Sequence, residues 1–422
     1  MGDPRSLDEW LTCLESLNPA TIVMGLERVR EVAGRLALAP PPGAVFTVAG
    51  TNGKGSTARL LQALLLGSGA RPGLYTSPHL CHYSERIRIG DQEISDEALL
   101  AAFAAVEAAR GTVPLTYFEF GTLAALQAFS AAGCDAWVLE VGMGGRLDAV
   151  NVIDPDYSLI TTVDLDHQQW LGDTVEAIAA EKAGILRAAG RGYYGDLPVP
   201  GSVRRHADAL GLALRCQGVD FGYAPAGSGW SWQGGGRRLD GLPAPAWWSD
   251  AQYRNAALAL AAWLDYRPGA LAEPGAVAAA LAARPLPGRC QRLMLEHEWV
   301  LDVAHNPQAA RTLRAQLQRL PAAADCTLVL GLLGDKEVAG FAAPLAPLAR
   351  RLILCGLEDP RAGDLAGTRA ALERAGIAVD AAVASPAEAF ALARGLTTPG
   401  GRIIVCGSFR VVGPALQWLE LN

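Results

Sequence analysis

Short apolar runs with polar residues at their ends recur along the chain. "VFTVAG" (45–50), "PGLYTS" (72–77), "AWVLEVG" (136–142) and "YSLITTV" (157–163) come first, and "WVLDVAH" (299–305), "CTLVLGLLG" (326–334), "RLILCG" (351–356) and "RIIVCGS" (402–408) follow. Stretches rich in alanine and leucine separate them, such as "AQYRNAALALAAWL" (251–264). Alternation of this kind predicts parallel strands covered by helices on both faces of a sheet. The texture changes between Gly218 and Trp248, where "YAPAGSGWSWQGGGRRLDGLPAPAWW" is dense in glycine, tryptophan and proline. That composition suits short antiparallel strands and turns, and predicts a peripheral β element.

A chain of 422 residues is too long for one ordinary core, so two domains are expected. The prolines and glycine of "ARPLPGRCQRL" (283–293) mark the linker and put the boundary near Pro287, dividing the chain into residues 1–287 and 288–422. Half of the residues are hydrophobic, yet no apolar run is long enough to span a bilayer, and "MGDPRSLDEW" carries acids where a signal peptide needs a basic and then an apolar stretch. A cytoplasmic protein with no membrane partner is expected. Eight cysteines without a C-x-x-C pair read as reduced, partly buried thiols. A formal charge of -7 argues against a broad nucleic-acid surface and leaves small molecules as the expected partners.

The chemistry starts at "AGTNGKGST" (49–57), which follows the strand-like "AVFTV". A strand, a glycine turn and a helix N-terminus aim backbone N–H groups and a positive dipole end at one spot, which suits a phosphate chain. Thr51, Asn52, Gly53, Lys54, Gly55 and Ser56 form the candidate cradle, and Lys54 supplies a movable positive charge. The loop departs from the general G-x-x-x-x-G-K-[ST] pattern, because Gly55 separates Lys54 from Ser56. A tight structural turn is the competing reading.

Polar residues at apolar strand ends join it. Glu140 closes "AWVLE", where a buried acid is costly unless it meets a cation such as magnesium. Ser77 ends "GLYTS" in the same topological position, and His167 follows "SLITTV" in "DLDHQQWLG". Each has a duller alternative: a turn cap for Ser77, a basic partner for Glu140, a core histidine for His167. Together they fall on the edge of an open α/β sheet where ligands collect.

The segments "GTNGKGS", "LYTSPHL", "LTYFEFGT", "LEVGMGGRLDAVN", "DHQQWLG", "EKAGI", "LPGR", "DVAHNP" and "CGSF", in that order, resemble the signatures of the dihydrofolate synthase/folylpolyglutamate synthase family of the Mur ligase superfamily. The resemblance implies an α/β fold: an N-terminal P-loop ATPase-like parallel-sheet domain with a peripheral β element, and a smaller C-terminal Rossmann-like α/β domain, with the reaction in the cleft between. It implies a ligase that uses ATP to convert a carboxylate into an acyl phosphate, which the amine of L-glutamate attacks. Dihydropteroate would give dihydrofolate, and reduced folates would give folylpolyglutamates. A Mur ligase with another carboxylate substrate, and a non-catalytic nucleotide-binding module, are the competing readings.

By the same resemblance Ser56, Ser77, Glu140 and His167 attend magnesium, with two ions expected, and Lys182 of "EKAGI" matches a lysine that is carbamylated. Otherwise it reads as a helix lysine in a salt bridge. Asn255, Arg289 and Asp302 match ATP contacts, Arg289 lying where the domains meet; His305 matches a residue placing the incoming glutamate, and Ser408 a glutamate contact. The pterin side rests on Val23, Met24, Gly25 and Leu26, on Thr116, Tyr117, Phe118 and Glu119, and on Leu147, Asp148 and Ala149. Val23 stands where the family pattern carries an acid. The alternating aromatics of "YFEF" also fit a half-buried, core-packing segment. A monomer is expected by the same analogy.

Overall fold

The longest apolar runs become the innermost strands of two sheets. The computed structural model describes residues 6–16, 25–227, 229–269, 274–282, 285–334 and 336–420. The chain divides into two units, each discontinuous in sequence: one draws on residues 1–78, 84–244 and 252–284, the other on 79–83, 245–251 and 285–422.

The first unit is built on an eight-stranded sheet of order β4-β3-β2-β5-β1-β6-β7-β8. Its strands are β1 (Ala44–Ala49), β2 (Pro72–Tyr75), β3 (Ile87–Ile89), β4 (Gln92–Glu93), β5 (Ala136–Glu140), β6 (Tyr157–Ile160), β7 (Arg191–Tyr194) and β8 (Leu214–Cys216). Six strands run parallel, and β3 and β4 add an antiparallel edge. β1 and β5 are buried at every position, which is why they read as unbroken apolar runs. β7 and β8 escape the sequence pattern: "RGYY" and "LRC" mix arginine, glycine and tyrosine into short strands. The expected β element is a three-stranded antiparallel sheet of β9 (Phe221–Ala226), β10 (Gly229–Gly234) and β11 (Arg237–Pro243). It is fastened by Trp232, whose indole N–H donates to the Ala257 carbonyl, 3.0 Å, in the helix Asp250–Tyr266.

The second unit holds a six-stranded sheet of order β12-β13-β17-β14-β15-β16. Its strands are β12 (Gln291–Met294), β13 (Glu298–Asp302), β14 (Cys326–Leu330), β15 (Arg351–Cys355), β16 (Ala381–Val383) and β17 (Arg402–Cys406), and only β12 is antiparallel to its neighbour. Alternate residues feed two cores: Val300, Leu328, Leu354 and Ile404 on one face, Trp299, Leu301, Val329 and Ile403 on the other. Each fully buried side chain of this size contributes about 1.5–3 kcal/mol. The segment 79–83 joins this unit through close packing. A Cβ on Gly413 would lie 2.3 Å from the Leu80 carbonyl oxygen, and one on Gly288 would lie 3.0 Å from Leu80 Cδ1. Trp247, in the other inserted segment, packs against the first of the two cores.

Candidate functional site

The glycine loop follows β1 as expected and opens directly into the helix Lys54–Gly67. Two of its glycines are obligatory. Gly50 has φ 152° and a Cβ there would sit 1.8 Å from Thr161 Oγ1; Gly53 has φ 85° and a Cβ there would sit 2.5 Å from Asn255 Oδ1. Glycine thus lets Asn255 reach the loop backbone. The loop is pinned to the chain beyond β6: Thr51 N–H donates to Thr162 O (2.8 Å), Asn52 N–H to Thr162 Oγ1 (3.2 Å) and Thr161 Oγ1 to Asn52 O (2.6 Å). Thr51 Oγ1 donates to Asp164 O, 3.1 Å. No side chain caps the helix start, and Lys54 Nζ curls back to the carbonyls of Gly50 (3.0 Å) and Thr51 (3.3 Å). Backbone donors and the Lys54 ammonium stand where an anion would be stabilised.

Strand order brings the next residues to the same edge. β5 lies between β2 and β1, so Ser77, Glu140 and the glycine loop follow neighbouring strands. Glu140 is buried and accepts the Ser77 N–H at 3.1 Å, which fixes the direction of its carboxylate. Ser56 is half-buried in the first turn of the helix. His167 lies beyond β6, at the head of the short helix Gln168–Leu171, with φ 51°, and donates its N–H to Asp166 Oδ1, 2.9 Å. Left-handed backbone at a non-glycine residue is strained by about 1–3 kcal/mol, the kind of cost retained where an orientation matters. Among the described residues no three His, Cys, Asp or Glu side chains gather as a metal set.

Lys182 is 3% exposed, in the last turn of the helix Val175–Ala183. Burial pushes its ammonium down to about 7; the charge of Lys54 pushes the same way, and Asp166 and Asp148 oppose. The neighbouring Glu181 pairs with Arg146, 2.8 Å. Asp148 is buried too, and its carboxyl is pushed up to about 6 by burial, against hydrogen bonds from Met143 N–H (2.9 Å) and Val150 N–H (3.1 Å) and the charge of Lys54. Lys54, Lys182, Asp148 and Asp166 therefore form one electrostatic group. Asp166 and the link from Asp148 to Lys182 carried no signal in the sequence, because they depend on which loops meet.

The segment "TYFEF" is the first turn of the helix Tyr117–Ala131. Thr116 caps it: its hydroxyl accepts the Glu119 N–H (3.3 Å) while Glu119 Oε2 accepts the Thr116 N–H (2.7 Å). Glu119 Oε1 also accepts from Arg28 at 2.7 Å, so this buried acid is committed to local structure. Thr-x-x-Glu was the sequence signal for that start. Phe120 is core, packed with Trp10 and Phe103. Phe118 is half-buried, with its ring against Gly142, where a Cβ would meet it at 2.5 Å, and 6.0 Å from the Tyr75 ring. Tyr117 lies under the guanidinium of buried Arg86, 5.5 Å away, a neighbour that sequence reasoning missed. Leu147 is half-buried and Ala149 buried; Gly25 has φ 156°, and Leu26 is buried at the head of the helix Glu27–Arg35. Val23 and Met24 lie outside the described residues.

Arg289, Asp302, His305 and Ser408 belong to the second unit. Asp302 ends β13, buried, and its carboxylate accepts from Cys290 N–H and Ala304 N–H, both at 2.7 Å. Burial raises its pKa, opposed by Arg289, those two hydrogen bonds and His305. Asp302 thus holds the turn that carries Arg289. The His305 ring meets the Val303 carbonyl through Nδ1 at 2.9 Å, and Ser408 is the buried N-cap of the helix Phe409–Trp418. All eight cysteines are free thiols.

Comparison with known proteins identifies residues 48–195 with the Mur ligase middle domain and residues 288–409 with the Mur ligase, glutamate ligase domain. The chain is 39% identical to the dihydrofolate synthase/folylpolyglutamate synthase of Escherichia coli K12, over 98% of this chain and 96% of that one. The structure of E. coli FolC in complex with DHPP and ADP superposes with a TM-score of 0.91 at 38% identity, covering 98% of each chain. A bifunctional folylpolyglutamate synthase/dihydrofolate synthase with Mn, AMPPNP and L-glutamate bound superposes with a TM-score of 0.89 at 41% identity, covering 99% of this chain and 98% of that one.

Proposed function

This chain belongs to the dihydrofolate synthase/folylpolyglutamate synthase family of Mur ligases, and on that premise we propose that it is the bifunctional, ATP-dependent ligase that adds L-glutamate to dihydropteroate and to reduced folates. The substrate carboxylate attacks the γ-phosphorus of ATP and ADP leaves. The amine of L-glutamate attacks the resulting acyl phosphate, an amide forms, and phosphate and one proton depart. Two anions must meet, so donors and cations have to offset their repulsion. Lys54 and the N–H groups that open its helix hold the phosphates, and Thr51, Asn52, Gly53, Gly55 and Asn255 shape the cradle. In the second unit Arg289 and Asp302 serve as nucleotide contacts, and His305 and Ser408 position the glutamate.

Ser56, Ser77, Glu140 and His167 fit a divalent cation, because a buried carboxylate oriented by a backbone N–H is a hard oxygen donor of the kind magnesium accepts. Magnesium bound there neutralises phosphate charge, and two ions are the number in this reading. The pterin site is lined from Gly25 and Leu26, Thr116 to Phe118, and Leu147 to Ala149, with Glu119 supporting the helix start.

One observation carries the reading: a lysine buried beside the phosphate-loop lysine, with its ammonium pushed down to about 7. Near neutral pH much of Lys182 is a free amine, which can attack carbon dioxide; a C–N bond forms, one proton is released, and a neutral amine becomes an anionic oxygen donor. The enzyme works as a monomer in the cytoplasm; among the described residues no helix is long and apolar enough to cross a membrane. The test is ADP release with dihydropteroate plus L-glutamate and with tetrahydrofolate plus L-glutamate, each component omitted in turn. Release with both acceptors, dependent on glutamate, is expected. Release with only one acceptor removes the bifunctional claim, and release indifferent to glutamate removes the ligase.

A further inference from the structure

The second unit carries an arginine pair that the reaction as described does not use. Asp359 follows β15, and Arg410 lies in the first turn of the helix that follows β17, so both stand at the carboxyl edge of the parallel strands, where ligands of open α/β sheets collect. The Asp359 side chain is only 2% exposed. Its Oδ1 accepts from Arg361 N–H (2.8 Å) and Arg361 Nε (3.2 Å), and its Oδ2 from Arg361 Nη2 (3.3 Å) and Arg410 Nε (2.8 Å). The two arginine side chains remain 64% and 46% exposed. One buried carboxylate thus holds two guanidiniums by their inner edges. Both Nη atoms of Arg410 and Nη1 of Arg361 have no hydrogen-bond partner among the described residues.

We propose that Arg361 and Arg410, held on Asp359, are the receptor for a carboxylate of the incoming L-glutamate, an inference that rests on the ligase reading above. L-Glutamate arrives as a net anion with two carboxylates at a protein of formal charge -7, and its amine must stay free to react, so recognition has to come through its carboxylates. A guanidinium matches a carboxylate with two parallel N–H donors, and one already fixed by a buried partner loses little freedom on binding. Arg410 N–H donates to Ser408 Oγ at 3.1 Å, the cap of the same helix, which sets it two residues from the serine assigned to glutamate in that reading.

The experiment compares Arg410→Ala, Arg410→Lys and Arg361→Ala with the native enzyme in steady-state ADP release, varying L-glutamate, ATP and tetrahydrofolate separately. Arg410→Ala raises the KM for L-glutamate on the order of tenfold, the size of a charge-assisted hydrogen bond, while the KM values for ATP and folate and the melting temperature stay unchanged. Arg410→Lys recovers part of the loss, and Arg361→Ala gives a smaller rise. An unchanged glutamate KM overturns the proposal. So does an equal rise for all three substrates, which marks a loop-folding role, or a rise confined to folate acceptors bearing several glutamates, which marks a tail site. If the native enzyme shows no glutamate-dependent release, the ligase reading itself fails.

Discussion

Replacing Lys182 by methionine separates what its amine costs the fold from what it gives the reaction. The side chain is buried, and its ammonium falls from 10.5 to about 7, chiefly through burial. A base depressed in this way opposes folding wherever the unfolded chain keeps its proton more readily than the native one. The penalty is complete below pH 7, shrinks as pH rises, and vanishes near pH 10.5. At about 1.4 kcal/mol per pH unit, it is roughly 5 kcal/mol at neutral pH and about 2 kcal/mol at pH 9. Lys182→Met should therefore be more stable than the native chain, by several kcal/mol at pH 7 and by much less at pH 9.5, yet inactive. Guanidinium unfolding at both pH values, in metal-free buffer depleted of carbon dioxide, measures the gap. Bicarbonate at pH 8 should stabilise the native chain alone, because only its folded state offers the amine. A stability gap that does not change with pH would refute the burial argument, and indifference to bicarbonate would refute the carbamate.

Gly53→Ala forces a side chain into φ 85° and onto Asn255, so the KM for ATP should rise at least tenfold with a loss of about 1–3 kcal/mol in stability; an unchanged KM in ATP titrations would show that the Asn255 approach is dispensable. Lys54→Ala and Glu140→Gln should abolish ADP release while leaving the melting temperature of the ligand-free protein nearly unchanged, and near-normal turnover in either would move the phosphate site elsewhere. Phe118→Ala should weaken dihydropteroate use more than ATP binding, whereas equal losses in the two titrations would make the ring a packing residue. Thr116→Ala removes a helix cap and one partner of Glu119, and should cost about 1 kcal/mol in denaturant unfolding.

Much of the fold was legible because the strands that carry it are buried on both faces. β1, β5, β13, β14 and β17 have no exposed side to dilute the apolar signal. β7, β8 and β16 are short and carry glycine, arginine or alanine, and so leave no apolar run to mark them. The polar residues at strand ends stood out for the same reason: Ser77 and Glu140 interrupt runs that are otherwise apolar. What could not be read is what long-range packing creates. Nothing in "EKAGI" announces that Lys182 is buried near Asp148 and Asp166, and nothing in "LEDPRAGD" shows that Asp359 reaches Arg410, 51 positions later. The helix start at Tyr117 was hidden under an aromatic alternation that fits a half-buried, core-packing segment, although its capping pair was in plain sight.

The placement of residues 79–83 governs how this chain can fold. Cys81 Sγ meets the Gly413 carbonyl across 332 positions of sequence, so the second unit is closed only after nearly the whole polypeptide has left the ribosome. The segment that completes it emerges early and must wait, with Leu80 unpacked, until Gly288 and Gly413 arrive. Closing so long a loop costs only logarithmically more entropy than closing a short one, but it slows the search. The slow phase of refolding should therefore belong to the second unit, and residues 285–422 synthesised alone should expose the surface that Leu80 covers and aggregate through it. Supplying the missing segment in trans, as a peptide spanning residues 76–86, would be the most direct way to rescue them.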